Sequence, residues 1–214
     1  APGAPPKTRL WVRIVRTAAL AAAVACLYLT GYVMLFEESL IYFPTKGEVG
    51  PSPGEDVYLK TADGVKIHGW YVTHPKAQAT LLWLHGNAGN IEIRRDLLDG
   101  LQALPANVLV IDYRGYGNSE GKPTEQGIYL DARAAYDWLL ARTTPERIVV
   151  FGKSLGGAPA CELASQVKCG GLIVQSSFTR AGDMASRVMP FFPARWLVRS
   201  KFDNLGRVAT IRCP

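Results

Sequence analysis

The spacing of hydrophobic and polar residues changes several times along the chain, and each change predicts a different element. The first feature is an uncharged apolar run of 20 residues at 17–36. Apolar and polar residues then alternate over 65–72, directly after Asp63-Gly64, which predicts a tight antiparallel hairpin. Four short, continuous apolar runs follow, at 81–84, 108–111, 148–151 and 172–174. Runs of this kind predict strands that are covered on both faces, as in a parallel sheet.

Helix-length segments separate the continuous runs, at about 91–103, 124–142 and 155–167. The second begins at Thr124, a suitable N-cap, and carries apolar residues at helical spacing. This alternation of strands and helices predicts an α/β domain with a mostly parallel sheet, helices on both faces and an N-terminal antiparallel hairpin. Residues 177–205 break the alternation with two short helices around a Pro-Phe-Phe-Pro segment, and we interpret them as a lid over the site.

The apolar run at 17–36 is long enough to cross a bilayer as a single helix. Four basic residues and no acidic residue precede it: Lys7, Arg9, Arg13 and Arg16. The positive-inside rule therefore predicts that residues 1–16 are cytoplasmic and that the chain after the anchor is extracytoplasmic. The alternatives are a cleaved signal peptide, although 32–36 offers no small-residue cleavage site, and a buried core helix. We divide the remainder into a Pro- and Gly-punctuated linker at 37–55 and a domain at 56–214.

The net charge of +6 is unevenly distributed. Residues 1–16 carry +4, residues 17–176 carry −3 and residues 177–214 carry +5. This distribution differs from the uniform basicity of a nucleic-acid-binding domain, so nucleic acid is not an expected partner. It favours a protein close to an anionic membrane surface, with anionic lipid contact near the lid. A solvated helical face is the alternative for the second basic cluster.

The four cysteines do not have the spacing of a metal site. Cys26 lies in the apolar run, and Cys161 and Cys169 either pair in an oxidising compartment or remain buried free thiols. No motif requires a metal ion or an organic cofactor, and no feature of the sequence predicts the oligomeric state.

A Gly-x-Ser-x-Gly element lies at 152–156, directly after an apolar run and before a helical segment. A strand, a tight turn and a helix raise the serine hydroxyl above the sheet, and Gly152 and Gly156 allow the backbone to turn sharply. Ser154 is therefore the candidate nucleophile, and a structural Gly-Ser turn is the alternative. Such a serine needs a base. All three histidines of the chain precede it: His68, His74 and His85.

The oxyanion hole is expected from two backbone N–H groups. One belongs to Leu155, at the start of the helix after the nucleophile. The other belongs to the loop at 85–90, which follows the first continuous apolar run. We assign the N–H of Asn87 to this role, with Ala88 as the alternative.

The remaining polar residues near these motifs have structural interpretations. His85 is interpreted as a hydrogen-bonded loop-positioning residue rather than as the base, and Gly86 shapes the site beside it. Asp112 follows a strand but precedes the serine, so it is interpreted as a loop-fixing carboxylate rather than as the triad acid. His68 and His74, on the hairpin, are expected to be surface residues.

Three stretches together resemble one family: His-Gly-Asn-Ala-Gly-Asn at 85–90, Asp-Tyr-Arg-Gly-Tyr-Gly-Asn-Ser-Glu-Gly at 112–121 and Gly-Lys-Ser-Leu-Gly-Gly at 152–157. With the anchor and the segment at 38–44, they look like membrane-anchored α/β-hydrolases of the Bem46 type. The resemblance covers nearly the whole chain and implies an α/β-hydrolase fold with Ser154 as nucleophile. It also implies a second half with an Asp and a His that complete the triad. We expect these, and the last strands of the sheet, after Pro214, so that the chain is an N-terminal portion that is inactive by itself.

These observations predict a membrane-anchored serine hydrolase that acts on acyl esters or thioesters through an acyl-enzyme at Ser154. Two alternatives stay open: a serine peptidase of the same fold, and a non-catalytic, membrane-tethered scaffold that kept the turn without the base. The lid carries large apolar residues, which favour an apolar acyl or lipid substrate: Met184, Met189, Phe191, Phe192 and Trp196.

Overall fold

The computed structural model of the chain describes residues 7–190 and 193–214. The start of the basic segment, residues 1–6, and the lid residues Phe191 and Phe192 lie outside the described residues. The described part of the chain forms one six-stranded sheet. Its strands are β1 (Glu55–Lys60), β2 (Lys66–Val72), β3 (Ala79–Leu84), β4 (Ala106–Ile111), β5 (Ile148–Lys153) and β6 (Gly171–Gln175).

Seven α-helices accompany the sheet within the same described ranges. They are α1 (Lys7–Ile41), α2 (Arg95–Leu101), α3 (Glu125–Leu140), α4 (Gly157–Gln166), α5 (Ala181–Val188), α6 (Ala194–Leu197) and α7 (Asn204–Val208). The strand order is β1-β2-β4-β3-β5-β6. β1 and β2 run antiparallel to their neighbours, and β3 to β6 are parallel. The predicted hairpin and the predicted mostly parallel sheet are both confirmed.

Helices cover both faces of the sheet, as predicted, because neighbouring residues of the central strands point to opposite sides. On one face Leu82 and Leu84 pack in a cluster with residues of α3 and α4. On the other face Leu81 and Trp83 pack with Leu98 of α2. This double burial is the physical reason why the central strands read as continuous apolar runs.

Individual residues explain the turn between β1 and β2 and the start of α3. The hairpin turns at Gly64, which has a φ of +86°, and the strands resume with Lys60 opposite Lys66. The helix α3 begins after Thr124, whose hydroxyl accepts a 3.0 Å hydrogen bond from the N–H of Gly127. Thr124 is therefore the N-cap that the sequence predicts, and it satisfies one of the free N–H groups of the first turn.

The N-terminal helix α1 is longer than the apolar run that predicts it. It continues to Ile41 and has a non-helical residue at Phe36, with φ −115° and ψ 17°. The part from Leu10 to Ile41 is long and apolar enough to cross a membrane, and only 6% of its most apolar window is buried in the protein. A helix with so little buried surface is not a core helix.

The expectation that His68 is a surface residue is wrong. β2 lies between β1 and β4, so His68 is 1% exposed, and its Nε2 lies 2.8 Å from Oδ1 of Asp56. His74 lies beyond the end of β2 and is half-buried, and its Nδ1 accepts from the N–H of Lys76.

For Cys161 and Cys169 the two expectations are a disulfide and free thiols, and the structure has free thiols. All four cysteines are free thiols, and Cys161 is buried without a disulfide to Cys169. The Sγ of Cys169 lies 3.1 Å from that of Cys213 instead. This proximity arises because the segment before Pro214 runs beside β6, where the N–H of Leu172 donates to the carbonyl of Pro214.

Candidate active site

Ser154 lies at the sharp turn between β5 and α4 and has a φ of +52°. A positive φ is uncommon outside glycine and marks the strained turn on which nucleophilic serines of this kind are presented. A Cβ at Gly152 would lie 2.6 Å from the Cβ of Ala160, and a Cβ at Gly156 would lie 2.6 Å from the carbonyl oxygen of His85. Both positions therefore require glycine, because the turn packs directly against α4 and against the end of β3.

The structure brings the two predicted loops together at Ser154. A Cβ at Gly86 would lie 3.3 Å from the Cβ of Ser154 and 4.0 Å from its Oγ. Leu155 is buried immediately after the serine, at the start of the helical turn. The carbonyl of Ser154 accepts a 2.9 Å hydrogen bond from the hydroxyl of Ser177, which follows β6. Ser154 is thus held between segments that follow both strands adjacent to β5.

The loop at 85–90 turns three consecutive carbonyl groups towards one arginine. Nη2 of Arg94 donates to the carbonyl oxygens of Gly86, Asn87 and Ala88 at 2.9, 2.9 and 2.7 Å. The peptide bonds are trans, so the N–H of Asn87 points away from the carbonyl of Gly86 and hence from Arg94. That N–H makes no hydrogen bond to a described residue, whereas the N–H of Ala88 donates to Oδ1 of Asn87 at 2.9 Å.

The side chain of Asn87 joins this loop to the end of α1. Its Nδ2 donates to the carbonyl of Ile41 at 2.5 Å, and its Oδ1 accepts from the N–H of Phe43 at 3.0 Å. The hydroxyl of Tyr116 also donates to Oδ1, at 2.8 Å. The N–H of Gly89 donates to the carbonyl of Phe43 at 3.1 Å. The sequence motif does not reveal the contacts of Asn87, because they depend on how segments more than 40 positions apart meet. The contacts of Arg94 are local, but they depend on how the loop folds back on the helical turn that follows it.

His85 is fully buried, and the partners of its two ring nitrogens are Gly86 and Asp112 rather than Ser154. Nδ1 lies 2.6 Å from the carbonyl oxygen of Gly86, and Nε2 lies 3.3 Å from Oδ1 of Asp112. The hydroxyl of Tyr113 donates to the carbonyl of His85 at 2.9 Å. Burial raises the pKa of Tyr113 well above its ordinary value, so its hydroxyl keeps the proton that it donates. These contacts hold the loop and do not place an imidazole at the serine.

A cavity of about 490 Å³ opens at Ser154 and has mostly apolar walls. The walls come from the second half of α1, from α5 and from the segment before α7, and include Leu29, Val33, Met184, Val188, Val198 and Phe202. Among the described residues that line it, Glu37 is the single carboxylate. Glu37 is 3% exposed and accepts hydrogen bonds from the N–H groups of Arg199 and Ser200 at 3.0 and 2.7 Å. These bonds fasten α1 to the predicted lid.

A second cavity, of about 500 Å³, lies beside Cys169 and Cys213 and contains none of the predicted site residues. Within residues 7–190 and 193–214, no group of three or more His, Cys, Asp or Glu side chains is arranged to hold a metal ion.

The comparisons with known proteins agree with this architecture. Residues 79–198 match the model of the α/β hydrolase fold family. An uncharacterised protein of Mycobacterium tuberculosis, Rv2307c, is 36% identical over 204 residues, which cover 90% of this chain and 73% of that protein. The protein Bem46 of Schizosaccharomyces pombe is 32% identical over 196 residues, which cover 83% of this chain and 66% of Bem46.

A solved structure leads to the same family. The esterase Pf2001 of Pyrococcus furiosus is similar, with a TM-score of 0.66 and 26% identity over 81% of this chain and 75% of the esterase. The strand order, the position of Ser154 after β5 and the family match over residues 79–198 are consistent with one another. The chain therefore belongs to the α/β-hydrolase family and resembles its Bem46-type members.

Proposed function

We propose that the protein is a membrane-anchored serine hydrolase of acyl esters or thioesters. The observation that carries the proposal is the φ of +52° at Ser154, on a turn that packs against the loop at Gly86 and opens into an apolar cavity. Backbone strain of this kind clusters at active sites and ligand-binding segments. The similarity to an esterase of known structure supports a hydrolase of this kind.

The proposed reaction has two steps. Oγ of Ser154 attacks the acyl carbonyl carbon while its proton passes to a general base, and the bond to the alcohol or thiol breaks as that group takes the proton. Water gives a proton to the same base and attacks the acyl carbon of the Ser154 ester. The bond between that carbon and Oγ then breaks, Oγ takes the proton from the base, and the acid is released. The oxyanion of each tetrahedral intermediate accepts hydrogen bonds from the N–H groups of Leu155 and Asn87.

The geometry of the loop supports Asn87 over Ala88 as the second oxyanion donor. The N–H of Ala88 already donates to the side chain of Asn87, and the N–H of Asn87 points away from Arg94 without a partner among the described residues. Arg94 withdraws electron density from the carbonyl of the same peptide, which strengthens the N–H as a donor. Arg94 is thus proposed as a positioning residue for the oxyanion hole.

The base of the proposed reaction is not one of the three histidines. His68 is bonded to Asp56, His74 accepts from a backbone N–H, and His85 contacts Gly86 and Asp112. We propose that the base is a histidine that follows Pro214 in sequence, together with the acid that orients it, as the order of residues in α/β-hydrolases requires.

We also propose that α1 is an uncleaved anchor, with residues 1–16 cytoplasmic and the hydrolase domain extracytoplasmic. Removal of α1 as a signal peptide would take Val33 out of the cavity wall and Glu37 out of its bonds to the lid. The mass of the mature protein, measured from membranes, tests this proposal. A mature protein that begins at any residue after position 16 contradicts it.

We propose that fewer basic residues near the lid are available to contact anionic lipid than the charge of +5 over residues 177–214 indicates. Four arginines of 177–214 are in ion pairs with carboxylates: Arg180 with Asp203, Arg195 with Asp183, Arg199 with Glu37 and Arg207 with Glu162. Exposed Arg187, on α5 next to the cavity residue Val188, is the residue that we propose for this contact.

The experiment that tests the function compares the full-length protein with Ser154→Ala on three panels: p-nitrophenyl esters, acyl thioesters and peptide anilides. We expect ester or thioester hydrolysis that falls at least about 10³-fold in Ser154→Ala, because removal of the nucleophile removes the acyl-enzyme route. Ser165→Ala, on α4 but outside the cavity, is the matched control and should retain activity.

Each alternative predicts a different result in the same panels. Faster cleavage of the peptide anilides than of the esters would establish the serine peptidase. A folded full-length protein that hydrolyses nothing would favour the non-catalytic scaffold. Hydrolysis that survives in Ser154→Ala would show that the activity comes from another group and would overturn the proposal.

A further inference from the structure

The helix that is long enough to span a membrane also forms part of the wall of the cavity at Ser154. Leu29, Tyr32 and Val33 belong to the apolar stretch of α1, and all three line the cavity. Val33 is 3% exposed, so it is covered by the protein, whereas Leu29 and Tyr32 keep 36% and 42% of their surface exposed. One face of α1 therefore belongs to the catalytic domain while its other faces remain open.

The part of α1 that lines the cavity extends from its polar C-terminal end into its apolar stretch. From Leu29 to Phe36 a helix rises by about 10 Å. Residue 36 is the last of the uncharged run, so the cavity extends about 10 Å along the part of the helix that would lie in the bilayer. A leaflet of the hydrocarbon core is about 15 Å thick, so the cavity reaches into its acyl-chain region.

The opposite wall of the cavity is apolar and only partly covered. Met184 and Val188 of α5 are 49% and 72% exposed, although both line the cavity. Exposed apolar surface of this kind on both sides of a cavity marks contact with a lipid or with an apolar ligand rather than with water. The carboxylate of Glu37 does not change this character, because the lid backbone already satisfies it.

We propose that the substrate is a long-chain acyl ester of a membrane-resident lipid, whose acyl chain enters the cavity along α1 directly from the bilayer. The carbonyl carbon lies at Ser154, and the chain runs between α1 and α5 past Val33 and Met184. A short, water-soluble ester fills little of this cavity and leaves most of its apolar walls without contact to the substrate. The proposal rests on the hydrolase function proposed above and adds the class and the source of the substrate.

The test uses the full-length protein in phosphatidylcholine nanodiscs and two fluorophosphonates, one with a two-carbon and one with a twelve-carbon alkyl chain. The measurement is the second-order rate of labelling at Ser154. We expect the wild-type protein to react at least tenfold faster with the twelve-carbon probe, because each methylene favours transfer of the probe from water into the bilayer from which the cavity is entered. A faster reaction with the two-carbon probe would overturn the proposal.

Variants of the cavity wall sharpen the test. Val33→Phe fills the cavity from α1 and should lower the ratio of long-chain to short-chain labelling at least tenfold. Val24→Phe makes the same change at an exposed position of the same helix outside the cavity, and should leave the ratio unchanged. Met184→Trp fills the cavity from α5 and should lower the ratio as Val33→Phe does. With two variants, the test does not depend on the folding of either one. Equal ratios in Val33→Phe, Met184→Trp and Val24→Phe would overturn the proposal.

The two proposals fail in different ways. If neither probe labels Ser154 in the wild-type protein, the hydrolase function is wrong. If the short probe labels Ser154 and the ratio does not respond to the cavity variants, the hydrolase function stands and the lipid substrate is wrong.

Discussion

The two walls of the cavity at Ser154 are built in different ways. The wall on the sheet side consists of the turn at 152–156 and the loop at 85–90, where glycines pack against backbone and Arg94 collects three carbonyls. The wall on the helix side consists of partly exposed apolar residues of α1 and α5, and Glu37 joins α1 to Arg199 and Ser200. Chemistry at a serine requires positions fixed to a fraction of an ångström, whereas an acyl chain needs only a deformable apolar surface.

The buried residues that support the sheet-side wall should be far less tolerant of change than the helix side. The largest effect is expected at the buried ion pair of Arg114, which follows Tyr113, whose hydroxyl donates to the carbonyl of His85. Arg114 donates to Oδ1 of Asp131 at 3.0 Å, and Asp131 is fully buried. Arg114→Met leaves this carboxylate without its cation and should cost about 3–5 kcal/mol of unfolding free energy. The control is Arg133→Met, on α3 with Asp131. It removes an exposed pair with Asp137 and should cost less than about 1 kcal/mol of unfolding free energy. Thermal unfolding of both variants measures the difference, and similar losses would contradict this account of the buried pair.

The same variant has a defined pH dependence. Burial raises the pKa of Asp131 to about 6, although the bonds from Arg114 lower it, so without Arg114 the pKa should rise further. A carboxyl group whose pKa is higher in the folded than in the unfolded state loses stability as the pH rises from about 4 through the folded pKa. The destabilisation by Arg114→Met should therefore be larger at pH 8 than at pH 5. A loss that is larger at pH 5 would be inconsistent with a buried, unpaired Asp131.

The next largest effect is expected at the serine turn. A Cβ at Gly156 would lie 2.6 Å from the carbonyl oxygen of His85, so Gly156→Ala forces β3 and the turn apart and should cost about 3 kcal/mol. Gly100→Ala is the matched control in α2, where an added Cβ meets nothing within 4 Å, and it should be neutral or stabilising by up to about 1 kcal/mol. Melting temperatures in the same detergent compare the two, and an equally tolerant Gly156 would refute the tight packing of the turn.

Most of the fold around the sheet-side wall is predictable from the sequence. The strands, the hairpin and the serine turn are all predictable because each depends on neighbouring residues, such as the glycines beside Ser154. The error at His68 has a structural cause, since β2 is paired on both sides and buries a residue that alternation alone assigns to the surface.

The helix-side wall could not be predicted in this way. The contact between Ile41 and Asn87 joins residues 46 positions apart, and that between Glu37 and Arg199 joins residues 162 positions apart. No local pattern encodes such contacts, so the sequence predicts α1 and the domain as separate parts, whereas the structure joins them. The oxyanion roles of Asn87 and Leu155 stay predictions.

A smaller effect, on catalysis, is expected at Arg94. Arg94→Met removes the donor that holds three carbonyls of the loop and should lower kcat about 10- to 100-fold with little change in KM, because the oxyanion donors act mainly in the transition state. Arg95→Met is the matched control, since the guanidinium of Arg95 binds Glu92 and lies over Trp70 instead. Steady-state kinetics on one ester separates kcat from KM. A raised KM with an unchanged kcat would exclude the positioning role of Arg94.

The smallest effect is expected at the fastening of the helix-side wall. Glu37→Gln keeps the shape of the side chain but weakens its bonds to Arg199 and Ser200, which should cost about 1 kcal/mol. Trypsin cleavage after Arg199 should become severalfold faster as the lid opens more often. Glu38→Gln, at the exposed neighbouring position, should leave the cleavage rate unchanged. Identical cleavage rates in the two variants would remove Glu37 as the link between α1 and the lid.

The central claim is that Ser154 is the nucleophile, and mass spectrometry of the full-length protein after reaction with a fluorophosphonate tests it most directly. The account predicts one adduct, on the peptide that contains Ser154, and no adduct in Ser154→Ala. An adduct on another residue, or equal labelling of the variant, would contradict it.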